Sequence, residues 1–223
     1  EGGTGWNHAV TMARSRAIAG PYELHPDIYI LSARDRPDAT HQRAGHADLG
    51  ETPDGETYMV YLCGRPLKNR GRCVLGRETA IQKMIWGDDD WLRSTDGEGV
   101  PHLETPAPKA APHAFDPPPA REDFDAPALP LAFQWLRTPF HKKIFSLSER
   151  PGHLRLFGRE TIGSLFTQAL IARRQQAHCY SAQTVMEFEP CHFQQMAGLV
   201  CYYSGTKFHY LYVSYDQQTG KHI

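Results

Sequence analysis

No charge of either sign dominates this chain. Its 223 residues hold 24 Lys and Arg against 25 Asp and Glu, for a net charge of −1. The basic residues are scattered rather than striped, so the basic face that a nucleic-acid partner leaves is missing. No apolar run approaches the roughly 18 residues that a membrane helix needs, and no membrane partner is expected. Cysteine is scarce and odd in number (Cys63, Cys73, Cys179, Cys191 and Cys201), with no C-x-x-C spacing. That argues against a disulfide framework and against a structural zinc site, and for free thiols in a reducing cytoplasm. Stretches of the G-x-S-x-G, P-loop and G-x-G-x-x-G kinds are also absent, which removes the motif-bearing hydrolase, phosphate-binding and dinucleotide-binding classes. His8, His41 and His46 lack the i, i+4 placement of a helical metal site, and Asp88-Asp89-Asp90 reads as a solvated hairpin turn rather than a calcium loop. No metal and no cofactor is expected.

An initiator Met, a basic leader and an apolar signal core are missing from the opening "EGGTGWNHAVTMARS". Gly2, Gly3 and Gly5 make a turn there, and Asn7 to Ser15 alternate as a strand does. "YDQQTGKHI" closes the chain on a glycine-bearing turn after another strand. Both ends are expected to cut through a sheet.

What is present supports a packed β protein. Hydrophobic residues make up 40% of the chain and aromatics 11%, enough for a core and too much for wholesale disorder. From Pro101 to Ala120, "PHLETPAPKAAPHAFDPPPA" holds seven prolines in twenty residues. Proline lacks the N–H a ladder needs and fixes its own backbone, so this is an extended strap or linker. The expected division is residues 1–105, a linker at 106–120, and residues 121–223. In the first part Pro53-Asp54-Gly55 is a hairpin turn inside "HADLGETPDGETYMVYLCG", and Gly87 to Asp90 is another inside "AIQKMIWGDDDWLR". In the second part "GHLRLFG", "SAQTVMEFEP", "AGLVCYYS" and "KFHYLYVSYD" read as strands, the last two joined at Ser204-Gly205-Thr206-Lys207. "SLFTQALIARRQQAH" is also assigned to strand. The fold class is all-β, a propeller, sandwich or barrel.

Two polar residues stand out. His46 lies in "QRAGHADL" among small neighbours that let a side chain stand clear at the bottom of a pocket; the alternative is a turn histidine bonded to a backbone carbonyl. Arg77 in "GRCVLGRETAIQ" opens a strand; the alternative is a surface pair with Glu78, of little energetic worth. The aromatic run Tyr202, Tyr203, Phe208, Tyr210, Tyr212 and Tyr215 could stack on sugar rings or could be core and cross-strand pairs of a hairpin.

The stretches "GGTGWNHAVTMARSRAIAGPYELHPD", "QRAGHADL", "CVLGRETAIQKMIW", "EDFDAPALPLAFQWLRTP", "RPGHLRLFGRETIGSLFTQALIARRQQ" and "FQQMAGLVCYYS", in that order, resemble a bacterial β-xylosidase of glycoside hydrolase family 43. The likeness is to the branch that carries a concanavalin-A-like β-sandwich behind the catalytic domain. It implies the C-terminal part of a five-bladed β-propeller up to about residue 105, then part of a sandwich from about Arg121. It implies an enzyme that releases xylose from the ends of xylooligosaccharides with inversion, many members also accepting aryl arabinofuranosides, and a homo-oligomer when full length. The family's Asp base, modulating Asp and Glu acid would lie upstream of Glu1, so the chain is expected to hold no catalytic carboxylate and to be inactive alone. Glu1 is not the acid, because Gly-Pro should follow it and Gly2-Gly3 does. His46 matches the histidine at the floor of the sugar pocket, and Arg77 the arginine that reaches sugar and carboxylates. Thr4, at a turn near the pocket wall, is a weaker substrate-binding match, and no metal is assigned. The family's aromatic loop over the pocket mouth would fall beyond Ile223. Two stretches depart from the pattern: "HPDIYILS", where an Asp-Asn-Pro run is usual, and Gly50, where a β-branched residue is expected. A non-catalytic carbohydrate-binding sandwich module is the competing reading.

Overall fold

The computed structural model describes residues 5–68, 70–136 and 138–223. It divides into two compact units, residues 1–114 and 115–223. No α-helix occurs among the described residues, and none is long and apolar enough to cross a membrane.

The first unit is built from two antiparallel sheets. Strands β1 (Ala9–Arg14) and β2 (Glu23–Ser32) pair with each other. Strands β3 (Gln42–Glu51), β4 (Thr57–Gly64), β5 (Glu78–Trp86) and β6 (Leu92–Ser94) form a four-stranded meander in chain order, the plan of a propeller blade. Turn chemistry sets the hairpins where the sequence places them. Gly55 has φ 78°, a left-handed value that glycine adopts without Cβ strain, and it donates its N–H to the Thr52 carbonyl at 2.9 Å. The second turn closes through Gly87 N–H to Trp91 O at 2.9 Å.

Strand β4 explains where the core sits. Its residues "TYMVYLCG" are buried almost throughout, as an inner strand covered on both faces must be. Met59, Tyr61 and Cys63 from β4 join Ile30 and Leu31 of β2, Ala44 of β3, Met84 of β5 and Leu92 of β6 in one cluster. Each fully buried side chain of this size contributes about 1.5–3 kcal/mol by leaving water. Burial also pushes the Cys63 thiol up to about 11, with the Glu78 charge adding to it, so Cys63 stays protonated and inert at neutral pH. All five cysteines are free thiols.

The start of the proline-rich segment lies along the blade rather than hanging free. Thr105 Oγ1 accepts from Lys83 N–H at 2.9 Å, Pro106 O accepts from Tyr58 Oη at 3.0 Å, and Lys109 N–H donates to Glu56 at 3.0 Å. Chain without its own ladder satisfies its polar groups here through the strands it crosses.

After β6 the chain turns back on Asp96. Burial pushes the Asp96 carboxyl up, but bonds from Ser94 Oγ (2.7 Å), Glu98 N–H (3.0 Å) and the His102 imidazole (2.7 Å) outweigh it, leaving a pKa of about 2 against the ordinary 3.8. A depressed folded-state pKa gives stability that is complete above about pH 4 and disappears as the pH falls towards 2. Asp96→Asn is therefore expected to lower Tm at pH 7 and to close that gap between pH 4 and 2, where the wild type loses the same bonds. Parallel Tm profiles for the two proteins across that window would contradict the assignment.

The second unit is less regular. β7 (Phe133–Trp135) pairs with β10 (Ile171–Arg173), β8 (Phe145–Ser146) with β9 (Arg155–Leu156), and β11 (Ala197–Ser204) with β12 (Lys207–Asp216), which also pairs β13 (Gly220–His222). The hairpin at Ser204 to Lys207 stands as read from the sequence. Three strand assignments need correction. "SAQTVMEFEP" forms no strand, "SLFTQALIARRQQAH" contributes only Ile171–Arg173, and "GHLRLFG" only Arg155–Leu156. Alternation makes a strand only where a partner backbone and a covering face exist, and here Val185 is 100% and Phe166 71% exposed. The aromatics of β11 and β12 do pair across strands, Tyr202 with Phe208 and Val200 with Tyr210, yet Tyr203 remains 65% exposed.

Candidate functional site

Strand β3 is not a regular ladder. Gln42 pairs with Gly64, Gly45 with Leu62 and Asp48 with Val60, and the register breaks in both intervals. Within this stretch Arg43 (φ 55°) and His46 (φ 52°) both take the left-handed conformation. Each such non-glycine residue costs on the order of 1–3 kcal/mol and persists only where its surroundings enforce it. The bulge places His46 exposed while its neighbours Ala44 and Gly45 are buried.

The surroundings that enforce it come from the stretch before β1. Trp6 lies under the Arg43 guanidinium, 4.0 Å from Cζ to the ring centroid, with Arg70 farther out at 5.7 Å. His8 is buried, and its Nδ1 lies 3.1 Å from the Arg43 carbonyl, so Nδ1 carries the proton and donates. The His8 backbone carbonyl in turn accepts from Ser32 Oγ at 3.1 Å. The imidazole lies flat against Gly45: a Cβ there would come within 2.5 Å of Nε2 and 2.6 Å of Cδ2. Real Cβ atoms do not approach so closely, which makes Gly45 obligatory while His8 is in place. At the head of the bulge, fully buried Gln42 donates to the carbonyls of Arg36 (2.7 Å) and Ala39 (2.8 Å) and accepts from Arg70 at 3.3 Å.

Arg77 enters from the other side of the same sheet. Gly45 on β3 faces Leu62 on β4, Leu62 faces Thr79 on β5, and Arg77 precedes Thr79 by two residues. It is exposed. Burial lowers the His8 pKa; the bond to the Arg43 carbonyl raises it and the charges of Arg77 and His46 lower it further, so the ring is neutral at neutral pH. The Glu78 carboxylate that the sequence offered to Arg77 is held by Arg65 through two nitrogens, at 2.7 and 3.0 Å. The imidazole bonded to a backbone carbonyl in this stretch is that of His8. Thr4 lies outside the described residues. Among the described residues no group of three or more His, Cys, Asp or Glu is placed to hold a metal.

Sequence reasoning missed His8, Trp6 and Gln42 as parts of this site. The signal for His8 was the Ala44-Gly45 pair before His46, which is what a ring packed on a strand requires. Chemically, His8 with the Arg43 and Arg70 guanidinium groups over Trp6 brings donors and positive charge to the bulge. It can hold hydroxyl groups or an anion. It cannot by itself split a glycosidic bond with inversion, which takes two carboxyl groups roughly 6.5–9.5 Å apart.

Comparison with known proteins bears on both units. Residues 1–92 match the model of glycosyl hydrolases family 43, and residues 121–223 that of the β-xylosidase C-terminal concanavalin-A-like domain. A xylosidase/arabinosidase 43B of Humicola insolens is 52% identical over 96% of this chain and 39% of its own length. A β-xylosidase of Bacillus subtilis is 44% identical over 99% of this chain and 43% of its own. The crystal structure of a xylan β-1,4-xylosidase from Bacillus halodurans superposes with a TM-score of 0.89 at 44% identity, covering 97% of this chain and 42% of that one. The chain thus spans about two fifths of the length of the relatives it matches. Its all-β units are the C-terminal part of a five-bladed propeller and part of a concanavalin-A-like sandwich, and the chain belongs to glycoside hydrolase family 43.

Proposed function

We propose that this chain is part of an inverting exo-β-1,4-xylosidase that releases xylose from the non-reducing ends of xylooligosaccharides in the cytoplasm. In this reading residues 1–223 supply binding groups and no catalytic carboxylate. His46 forms the floor of the sugar pocket. Arg77 directs its guanidinium at the sugar and at the acid–base carboxylates, which belong to the rest of the longer protein. Thr4 is a further substrate-binding candidate by resemblance alone. What supports the reading is the strand register: Gly45, next to His46, faces Leu62, and Leu62 faces Thr79, two residues past Arg77, within a family 43 domain. Free thiols throughout fit a reducing compartment.

The test is to assay the full-length protein and the 1–223 polypeptide against an aryl β-xyloside, following the first-formed sugar by NMR. The full-length protein is expected to release the α-anomer first, as inversion requires, and the 1–223 polypeptide to give no turnover. General acid and general base each contribute on the order of 10²- to 10⁴-fold, so their absence leaves nothing measurable. Turnover by 1–223 alone, or first release of the β-anomer, would overturn the reading.

A further inference from the structure

We propose that His8 is the positioning residue of this pocket: its imidazole, wedged against Gly45 and bonded to the Arg43 carbonyl, holds the left-handed bulge that presents His46. The inference rests on the reading of His46 as a substrate-binding group, and extends it to a residue that need not touch the sugar.

Three observations converge on it. The bulge has two unfavourable backbone conformations three residues apart, Arg43 and His46, and the Nδ1–H of His8 meets the carbonyl of the first. The ring then fills the space over Gly45, the residue immediately before the second. And His8 is itself immobile: it is 6% exposed, its backbone carbonyl accepts from Ser32, and Ala9 beside it pairs with the same serine in β2. A clamp must be stiffer than what it holds. The uncharged ring suits the position, because the one-proton imidazole donates at Nδ1 while presenting an uncharged Nε2 to the Gly45 backbone. Burial favours that neutral form and outweighs the bond to the Arg43 carbonyl, which favours the charged one. Arg43 has its side chain engaged by Trp6, so it is the main chain, and not the guanidinium, that His8 controls.

The test uses the full-length protein and two readouts: steady-state kinetics on an aryl β-xyloside, and the NMR resonance of His46 Cε1–H. His8→Leu keeps the bulk and loses the donor. It is expected to displace the His46 resonance and to raise KM roughly tenfold with kcat changed much less, since a displacement of about 1 Å at a binding group can cost up to 100-fold. His8→Asn retains an amide donor and should recover part of both. Gly45→Ala drives a methyl against the intact ring and should give the same signature as His8→Leu, which keeps the test alive if His8→Leu does not fold. In a His46→Ala background, His8→Leu should add nothing to KM. The proposal is overturned if His8→Leu or Gly45→Ala leaves the His46 resonance in place, or if His8→Leu raises KM equally with and without His46. If His46→Ala leaves KM unchanged while the resonance still moves in His8→Leu, the clamp stands and the pocket role of His46 falls.

Discussion

Arg77→Ala in the full-length protein is expected to lower kcat/KM for an aryl β-xyloside by about 100- to 1,000-fold, the loss that follows removal of one donor aimed at developing charge. Arg77 stands just ahead of β5 in an exposed position, and exposed substitutions away from special features usually change stability by no more than about 0.5 kcal/mol. The folded protein should therefore melt within a few degrees of wild type, and the loss should be kinetic. Arg77→Lys should recover only part of the activity. Lysine keeps the charge but presents a point donor where the guanidinium offers a planar fork. A kcat/KM within threefold of wild type for Arg77→Ala would remove this residue from the site. A matching loss caused by unfolding would show in the melt.

The neighbourhood of Arg77 makes this substitution cleaner than most. Its acidic neighbour in sequence, Glu78, is gripped by Arg65, and the hydrogen bonds to that carboxylate are the main cause that raises the Arg65 pKa further. The Glu78 carboxylate thus keeps a guanidinium partner when residue 77 is changed. Truncation usually costs most when it strands a charge, and for Glu78 that penalty is avoided.

Much of the first unit was legible in its sequence because its signals are local. Proline, aspartate and glycine at 53–55 specify a turn through their own backbone preferences, and Gly87 to Asp90 do the same, so two hairpins of the blade needed no tertiary information. Gly50, which stands where a β-branched residue is expected, pairs normally with Tyr58, and a Cβ there would meet open space. Its cost is conformational freedom alone. The bulge was not legible. Nothing in "RAGHADL" announces left-handed backbone at Arg43, whose residue type does not favour it, and histidine is enriched there only relative to a low base. The cause lies 35 residues earlier, in His8 bonding to the Arg43 carbonyl. The same distinction explains the second unit. The hairpin at Gly205 is local and was read correctly, whereas the 181–190 stretch has strand-like composition but no strand beside it to pair with. Composition supplies a tendency; a ladder needs a neighbour.

The seam between the two sheets of the first unit rests on Trp91, and Trp91→Ala is expected to destabilise the protein by about 3–5 kcal/mol. Trp91 leads from the β5–β6 turn into β6 and is 2% exposed. His25 from β2 meets its ring edge-on at 4.9 Å, and the Arg14 guanidinium of β1 lies 4.0 Å over its face. Truncation empties that space, and the polar groups around it lose their frame. His25 bonds the Leu92 carbonyl at 3.1 Å, Arg14 donates to the Asp89 carbonyl at 2.5 Å, and Arg93 holds the Asp89 carboxylate at 2.7 Å. The cation–π contact alone contributes about 0.5–2 kcal/mol, the upper end applying where the pair is shielded from water. Trp91→Phe keeps a ring for His25 and should cost less than half as much as the alanine variant. The measurement is chemical denaturation of the full-length protein, with Arg14→Ala made in both the wild-type and Trp91→Ala backgrounds. Because the guanidinium acts on the ring, Arg14→Ala should cost less once the ring is gone. If Trp91→Ala costs under 1 kcal/mol, or if the two losses simply add, the two sheets are held together elsewhere, through the apolar cluster of Leu31, Met59 and Leu92.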